Sequence, residues 1–319
     1  MGLIRQVRDG IMRFAQRNVV ARRRGDVVDT YRNLRIGMVT LILMLAFAVT
    51  AESIRSTDIR PSISDYYDTS VRAVFIATVC AMGAMLMAYK GRSEIEDVLL
   101  NYAGFLAFFV AFLPTDTAER LVYPPRDWII LNMWTAVFGG VSAVVIWSLI
   151  SRIGRFATSR RTTLAGNVAR GLGLCAVIVV VAKQLWWEDA FGITPHVAAA
   201  VSMFGFLTLV VGVNGLAAVV RDAPRRYATA YFLIATGMFV TVVVAGVASV
   251  CGWGEGVNLV FWVEWVLLAA FLAFWLVQTA ELWDEEAELK SAVDGDARAR
   301  VLGGDVPDAD SPDDREQRG

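Results

Sequence analysis

Residues 196–220 read HVAAAVSMFGFLTLVVGVNGLAAVV and contain no Asp, Glu, Lys or Arg. A helix needs roughly 17 to 25 apolar residues to cross about 30 Å of bilayer hydrocarbon. This stretch is long enough, and it lacks both the strict alternation of a half-buried strand and the polar stripe of a soluble amphipathic helix. The stretch therefore predicts a transmembrane helix.

Seven more apolar runs accompany it, so we expect an all-α, polytopic transmembrane helix bundle of about eight spans. They cover residues 36–52, 71–89, 96–113, 128–150, 171–187, 196–220, 228–251 and 258–280. Ser93 with Glu96 predicts a capping box at the third span, and Thr194-Pro195 predicts a capped start of the sixth. Alanines on one face of the second span predict a close helix contact there: Ala77, Ala81, Ala84 and Ala88.

Composition excludes several classes of protein. Of the 319 residues, 56% are hydrophobic and 19% are charged, and the mean hydropathy is +0.51. A soluble domain averages roughly 45–50% apolar and about 25% charged residues. The three cysteines are far apart and form no CxxC pair. These features exclude a soluble enzyme, a secreted disulfide scaffold and a nucleic-acid binder.

The distribution of Lys and Arg predicts the orientation. Nineteen of them lie in residues 1–35, 90–97, 151–170 and 221–227, whereas the alternate loops hold four. Loops rich in Lys and Arg stay in the cytoplasm, so both termini are predicted to be cytoplasmic. Arginine outnumbers lysine by 27 to 3, which indicates a GC-rich bacterial genome. The predicted location is the bacterial cytoplasmic membrane, and membrane lipids are the predicted partners.

The two ends of the chain carry opposite charge. Residues 1–35 hold nine arginines and predict either a basic amphipathic helix in the headgroup plane or a positive anchor that fixes orientation. Residues 281–319 hold thirteen acidic and five basic side chains. We expect residues 281–292 to continue the last helix and the remainder of this tail to be disordered.

Ionisable side chains at membrane depth are costly, so each is a candidate for a binding site. Four such residues are Arg72, Lys183, His196 and Glu264, and the predicted topology puts all of them near the outer face. Asp65 lies in the loop before the second span. These five residues predict an outward-facing pocket for a small solute, a lipid headgroup or a proton. The cytoplasmic half of the spans offers no comparable set.

Each candidate also has a purely structural interpretation. Lys183 is close enough to the interface to extend into it, His196 can cap its helix, and Arg72 can pair with Asp68. Glu264 is the hardest to explain in this way, because a carboxylate at that depth must be protonated or paired. Its predicted partners are Lys183, Arg72 or His196.

Catalysis has weak support in the sequence. The chain has one histidine, which excludes a three-histidine zinc site, although a mixed site of His196, Asp65 and Glu264 stays open. A nucleophilic Ser62 or Ser64 would need His196 as its base. No catalytic residue, metal ligand or cofactor is predicted.

Several motifs together resemble a family of bacterial multi-pass membrane proteins to which no activity is assigned. The motifs are SISDYY at 62–67, Arg72 with Phe75, YKG at 89–91, Asn101, Ala103-Gly104, AFLPT at 111–115, His196 with Ala199-Ala200, and Glu264 with FWL at 274–276. The resemblance covers residues 37–280 and implies that the polar residues near the outer face belong to the fold.

A more distant similarity is to the seven-helix membrane hydrolases that include alkaline ceramidases and adiponectin-type receptors. Those proteins carry a Ser, an Asp and three zinc-binding His, and this chain lacks two of the three histidines. We therefore expect a non-catalytic membrane protein with an outward-facing pocket. A membrane-embedded lipid hydrolase and an interaction or regulatory subunit remain as alternatives.

Overall fold

The computed structural model describes residues 2–115, 126–153, 162–186, 194–251 and 258–302. Within these ranges the regular secondary structure is entirely helical, without a β-strand, and a short 3₁₀ helix at Ser64–Asp68 lies in the first connection. The helices are α1 (Gly2–Ser56), α2 (Arg72–Ala88), α3 (Glu94–Phe112), α4 (Arg126–Ile153), α5 (Leu164–Trp186), α6 (Pro195–Val220), α7 (Arg225–Val250) and α8 (Leu259–Leu302).

Seven of these helices are long and apolar enough to cross a bilayer, and the eighth, α2, is apolar but only 17 residues long. Contacts at both ends of α2 show that it nevertheless traverses the bundle. It begins beside the connection 57–71 and ends at Tyr89, which receives hydrogen bonds from Arg35 near the middle of α1. The prediction of a polytopic helix bundle is therefore confirmed.

Helix α3 lies at the centre of the bundle. About 67% of its most apolar stretch is buried, against 17% for α4 and 11% for α7. Its two ends bind α6 in antiparallel register, since Glu96 accepts a hydrogen bond from Asn214 and the Leu113 carbonyl contacts His196. The exposed faces of α4 and α7 are apolar, as expected for helices that face lipid.

Two glycines bring α2 and α3 into backbone contact. A Cβ atom added to Gly83 would lie 2.6 Å from the Gly104 carbonyl oxygen, and one added to Gly104 would lie 2.5 Å from that of Gly83. The prediction that the alanine face makes this contact is wrong, because Ala77, Ala84 and Ala88 are exposed. The close contact lies on the opposite face, which carries the large buried side chains of α2.

Local capping signals are confirmed. The Ser93 hydroxyl accepts a hydrogen bond from the Glu96 N–H at the start of α3, and Thr194 caps α6 in the same way, with Pro195 in the first turn. The capping box is only half formed. The Glu96 carboxylate accepts from the Arg92 N–H and from Asn214, so this side chain joins two helices.

The structure joins both terminal segments to their neighbouring spans. Helix α1 runs unbroken from Gly2 to Ser56, and α8 continues to Leu302, ten residues beyond the predicted end. The acidic residues 303–319 lie outside the described part of the chain. Two compact units are present, Met1–Val277 and Gln278–Gly319, and the features below all belong to the first.

Candidate functional site

The connection between α1 and α2, residues 57–71, folds over one end of the bundle, which we call the loop end. It is fastened to the start of α8 by backbone contacts. The Phe261 N–H donates to the Pro61 carbonyl at 2.9 Å, and the Asn258 side chain donates to the Ile59 carbonyl at 3.1 Å. The first connection of the chain therefore rests on its last transmembrane helix.

Glu264 of α8 is the main polar anchor of this loop. Its Oε2 accepts from the Ser62 hydroxyl at 2.7 Å and from the Ile63 N–H at 2.5 Å, and its Oε1 accepts from the Ser64 hydroxyl at 3.1 Å. A carboxylate at membrane depth requires such donors, since an unpaired charge there is costly. These three donors satisfy most of its hydrogen-bonding capacity.

Further contacts fasten the same loop to α1 and to the end of α3. The Thr115 hydroxyl donates to Asp65, and the hydroxyls of Ser53 and Tyr66 are hydrogen-bonded to each other. Tyr66 is fully buried. The loop is consequently held on three sides, by α1, α3 and α8.

A cavity of about 70 Å³ lies directly under this loop, between α1, α2, α3, α6 and α8. Thirteen of the fifteen described residues that line it are apolar, and the two polar ones are Ser64 and Glu264. On α2 its wall runs from Phe75 to Leu86, a rise of roughly 16 Å. The cavity is thus a narrow apolar space with one polar end.

The structure brings together some of the five predicted site residues. Asp65 and Glu264 are joined to the same loop, and His196 contacts the Leu113 carbonyl two residues before Thr115, the partner of Asp65. Only Glu264 of the five lines the cavity. The other four predicted residues lie outside the described wall of this mainly apolar cavity.

The other two predicted residues do not line the cavity, although Arg72 contacts the loop 57–71. Arg72 donates to the Tyr67 hydroxyl at 2.6 Å, with its guanidinium 4.1 Å from the centre of that ring. Lys183 is buried on α5. Glu264 therefore has hydroxyl and backbone N–H partners in place of the cationic side chains that the sequence predicted for it.

His196 is held rigidly at the start of α6. Its Nδ1 lies 2.7 Å from the Leu113 carbonyl oxygen, so Nδ1 is the protonated nitrogen in this contact. The ring is 3% exposed, and Nε2 has no hydrogen-bond partner among the described residues. This geometry is that of a structural hydrogen bond that connects α6 to the end of α3.

The described geometry bears on the two catalytic alternatives. Ser62 and Ser64 both donate their hydroxyls to Glu264, so neither is positioned against the imidazole of His196. Among the described residues, no group of three or more His, Cys, Asp or Glu side chains could hold a metal ion. The mixed site of His196, Asp65 and Glu264 is therefore not assembled in this structure.

A second polar cluster lies at the opposite end of the bundle, where the sequence predicted none. Arg35 donates to the Tyr89 hydroxyl at 2.5 and 3.2 Å, and Glu96 accepts from Asn214 at 2.9 Å. Asp97 accepts from the Gly91 N–H at 2.6 Å. The charged and amide members of this cluster are all nearly inaccessible to solvent.

The sequence contained a signal for this second cluster. The acidic pair Glu96-Asp97 falls in the first turn of the apolar helix α3, shortly after the YKG motif at 89–91. Its assignment to a capping box removed it from the set of buried charges. Arg35 belongs to the basic segment 1–35 that predicts the orientation, and its position in the sequence does not indicate that it is buried. Glu52, which is 6% exposed and accepts from Ser70 at 2.8 Å, was missed at the end of the first span.

The helices and their apolar exterior define a multi-pass α-helical membrane protein with a small apolar cavity that extends inward from one end. No protein-family model, curated protein or solved structure matches this chain. The function must therefore be argued from the cavity and its surroundings.

Proposed function

We propose that this protein binds the apolar part of a small amphiphilic molecule in the cavity under the loop 57–71. The observation that supports this most directly is the composition of the wall, which is apolar except for Ser64 and Glu264. Ligand sites are typically apolar cavities with a few convergent polar groups that fix the orientation of the ligand.

The size of the cavity limits the ligand. Each water-sized group needs roughly 10–15 Å³ by this measure, so 70 Å³ accommodates about five to seven groups of the size of a methylene. A polar solute is disfavoured, because thirteen apolar neighbours cannot replace its hydrogen bonds with water. A short alkyl or branched hydrocarbon tail fits both limits.

The proposed setting is the cytoplasmic membrane of a bacterium with both termini in the cytoplasm. The excess of Lys and Arg in alternate loops supports this orientation. The loop 57–71 and Glu264 then lie near the outer face, so the ligand enters from the outer side of the membrane or from its outer leaflet. Membrane lipids surround α4 and α7.

Photolabelling tests the proposal. The protein in nanodiscs is irradiated with an uncharged hexyl diazirine, and labelled residues are identified by mass spectrometry. Label is expected on Met82 and Leu207, which line the cavity but are 8% and 2% exposed on the protein surface. Surface-exposed apolar residues serve as an internal reference for probe dissolved in the lipid.

A matched pair of variants separates cavity binding from labelling through the lipid. Val79→Trp fills the cavity and should abolish labelling of Met82 and Leu207, whereas Val243→Trp on the exposed face of α7 should leave it unchanged. If the wild-type protein shows no label on the cavity wall, or if Val79→Trp labels as strongly as the wild type, the proposed function is wrong.

A further inference from the structure

Among the described residues, the polar end of the cavity offers hydrogen-bond acceptors and no spare donor. The Ser64 hydroxyl donates to Glu264, and the Ser64 N–H donates to the Ser62 hydroxyl at 2.9 Å. The Ile63 N–H donates to Glu264 as well. Each donor that these described loop residues present to the cavity therefore has a partner already.

Acceptor capacity remains on the same two side chains. A carboxylate has about four lone-pair positions, and Glu264 uses three of them: two at Oε2 and one at Oε1. The Ser64 hydroxyl oxygen keeps its lone pairs, since it acts as a donor here. One position on Oε1 and the Ser64 oxygen thus remain as acceptors on the two polar residues that line the cavity.

The rest of the wall does not change this balance between hydrogen-bond donors and acceptors. In the part of the chain that the structure describes, the other thirteen lining side chains are apolar, and the Ile63 carbonyl already accepts from the Tyr66 N–H at 3.2 Å. A ligand head that needs donors from the protein would be left without them, and an unpaired buried polar group is costly.

We infer that the ligand carries a hydrogen-bond-donating head, a primary ammonium or a hydroxyl group, on a short alkyl tail. This inference rests on the proposed function. The ammonium group combines donors with a charge opposite to that of Glu264, which gives the stronger, charge-assisted bond. A carboxylate head has only acceptors and is repelled by Glu264. Fatty acids are therefore disfavoured, and alkylamines and alcohols are favoured.

Three photoreactive probes with the same hexyl diazirine tail test the inference. They differ only in the head, which is an amine, an alcohol or a carboxylate, and each is added to the wild-type protein in nanodiscs of phosphatidylcholine. Label on Met82 and Leu207 is normalised to label on exposed α7. The amine should label the cavity at least about tenfold more than the carboxylate, as one added bond to a charged group implies, with the alcohol between them.

Two matched variants identify the group responsible. Glu264→Gln keeps the shape of the side chain, removes its charge and adds an amide donor, so the preference for amine over carboxylate should fall to about threefold or less. Glu52→Gln makes the same change in another buried carboxylate at the loop end that does not line the cavity. This control should retain the wild-type preference.

The outcomes distinguish the two proposals. Equal labelling of the cavity by all three heads in the wild type overturns the inference and leaves the proposed function standing. An unchanged preference in a folded Glu264→Gln variant overturns it too. Absence of cavity label with every probe removes the proposed function, and the inference falls with it. If Glu264→Gln does not fold, the comparison of the three probes in the wild-type protein still tests the inference.

Discussion

Asn214 of α6 donates a 2.9 Å hydrogen bond to the carboxylate of Glu96 at the start of α3, and both residues are nearly inaccessible. The same Glu96 accepts from the Arg92 N–H at 2.8 Å. A charged group inside a helix bundle is stabilised by such bonds, so the pair joins the central helix to its antiparallel neighbour.

Removal of this bond should destabilise the bundle. Asn214→Leu leaves Glu96 buried with one donor fewer, and we expect a loss of about 1–3 kcal/mol in the free energy of unfolding. The measurement is an SDS titration of the detergent-solubilised protein. Asn101→Leu is the control, because Asn101 is exposed on α3. Equal effects of the two substitutions would show that the bond contributes nothing.

The contact between α2 and α3 predicts which glycines tolerate a methyl group. Gly83→Ala and Gly104→Ala each place a Cβ against a backbone carbonyl, and separation of the helices should cost about 1–3 kcal/mol. Gly205→Ala and Gly212→Ala meet nothing within 4 Å and should stabilise α6 by about 0.5–1 kcal/mol. Thermal unfolding in detergent measures the stability of all four variants. If Gly205→Ala and Gly212→Ala destabilise the protein more than Gly83→Ala and Gly104→Ala do, the close packing of α2 on α3 is contradicted.

A double-mutant cycle tests the partners of Glu264. Ser62→Ala and Glu264→Gln remove two ends of one hydrogen bond, so their effects on the free energy of unfolding should differ from additivity by about 0.5–3 kcal/mol. Lys183→Met with Glu264→Gln should be additive within about 0.5 kcal/mol, since no hydrogen bond joins these two side chains. If Lys183→Met instead recovers the stability that Glu264→Gln loses, Lys183 is the cationic partner of Glu264 that the sequence predicted.

Orientation is tested by cysteine accessibility. With the three native cysteines replaced, Ser56→Cys should react with a membrane-impermeant maleimide in intact cells, whereas Lys90→Cys and Ser159→Cys should react only after permeabilisation. Ser56 and Lys90 flank α2 and are exposed. Labelling of both Ser56→Cys and Lys90→Cys in intact cells would show that α2 does not cross the membrane. The reverse pattern would show that the bundle has the opposite orientation.

The helices could be predicted because their signals are local. A run of apolar residues determines a span by its length, and Ser93 and Thr194 cap helices through N–H groups three residues away. The polar contacts of the candidate site could not be predicted, because the residues that make them are distant in sequence. Nothing near Glu264 in the sequence indicates Ser62, and Arg35 is separated from Tyr89 by 54 residues.

The cavity was unpredictable for a related reason. Its volume depends on how side chains from five helices fail to fill the space between them, and such a gap has no signature in any one segment. The glycine contact is similar. Gly83 and Gly104 are unremarkable separately, and only the crossing of α2 and α3 makes them necessary.

The bond between Ser62 and Glu264 also sets the order in which the protein can be completed during synthesis. The two residues are 202 positions apart, which corresponds to roughly 10 to 40 seconds of translation. Throughout that interval the loop 57–71 is without its anchor on α8. The polar end of the cavity is therefore one of the last parts to form, and a chain truncated before α8 would insert its early helices and still lack the α8 side of the cavity.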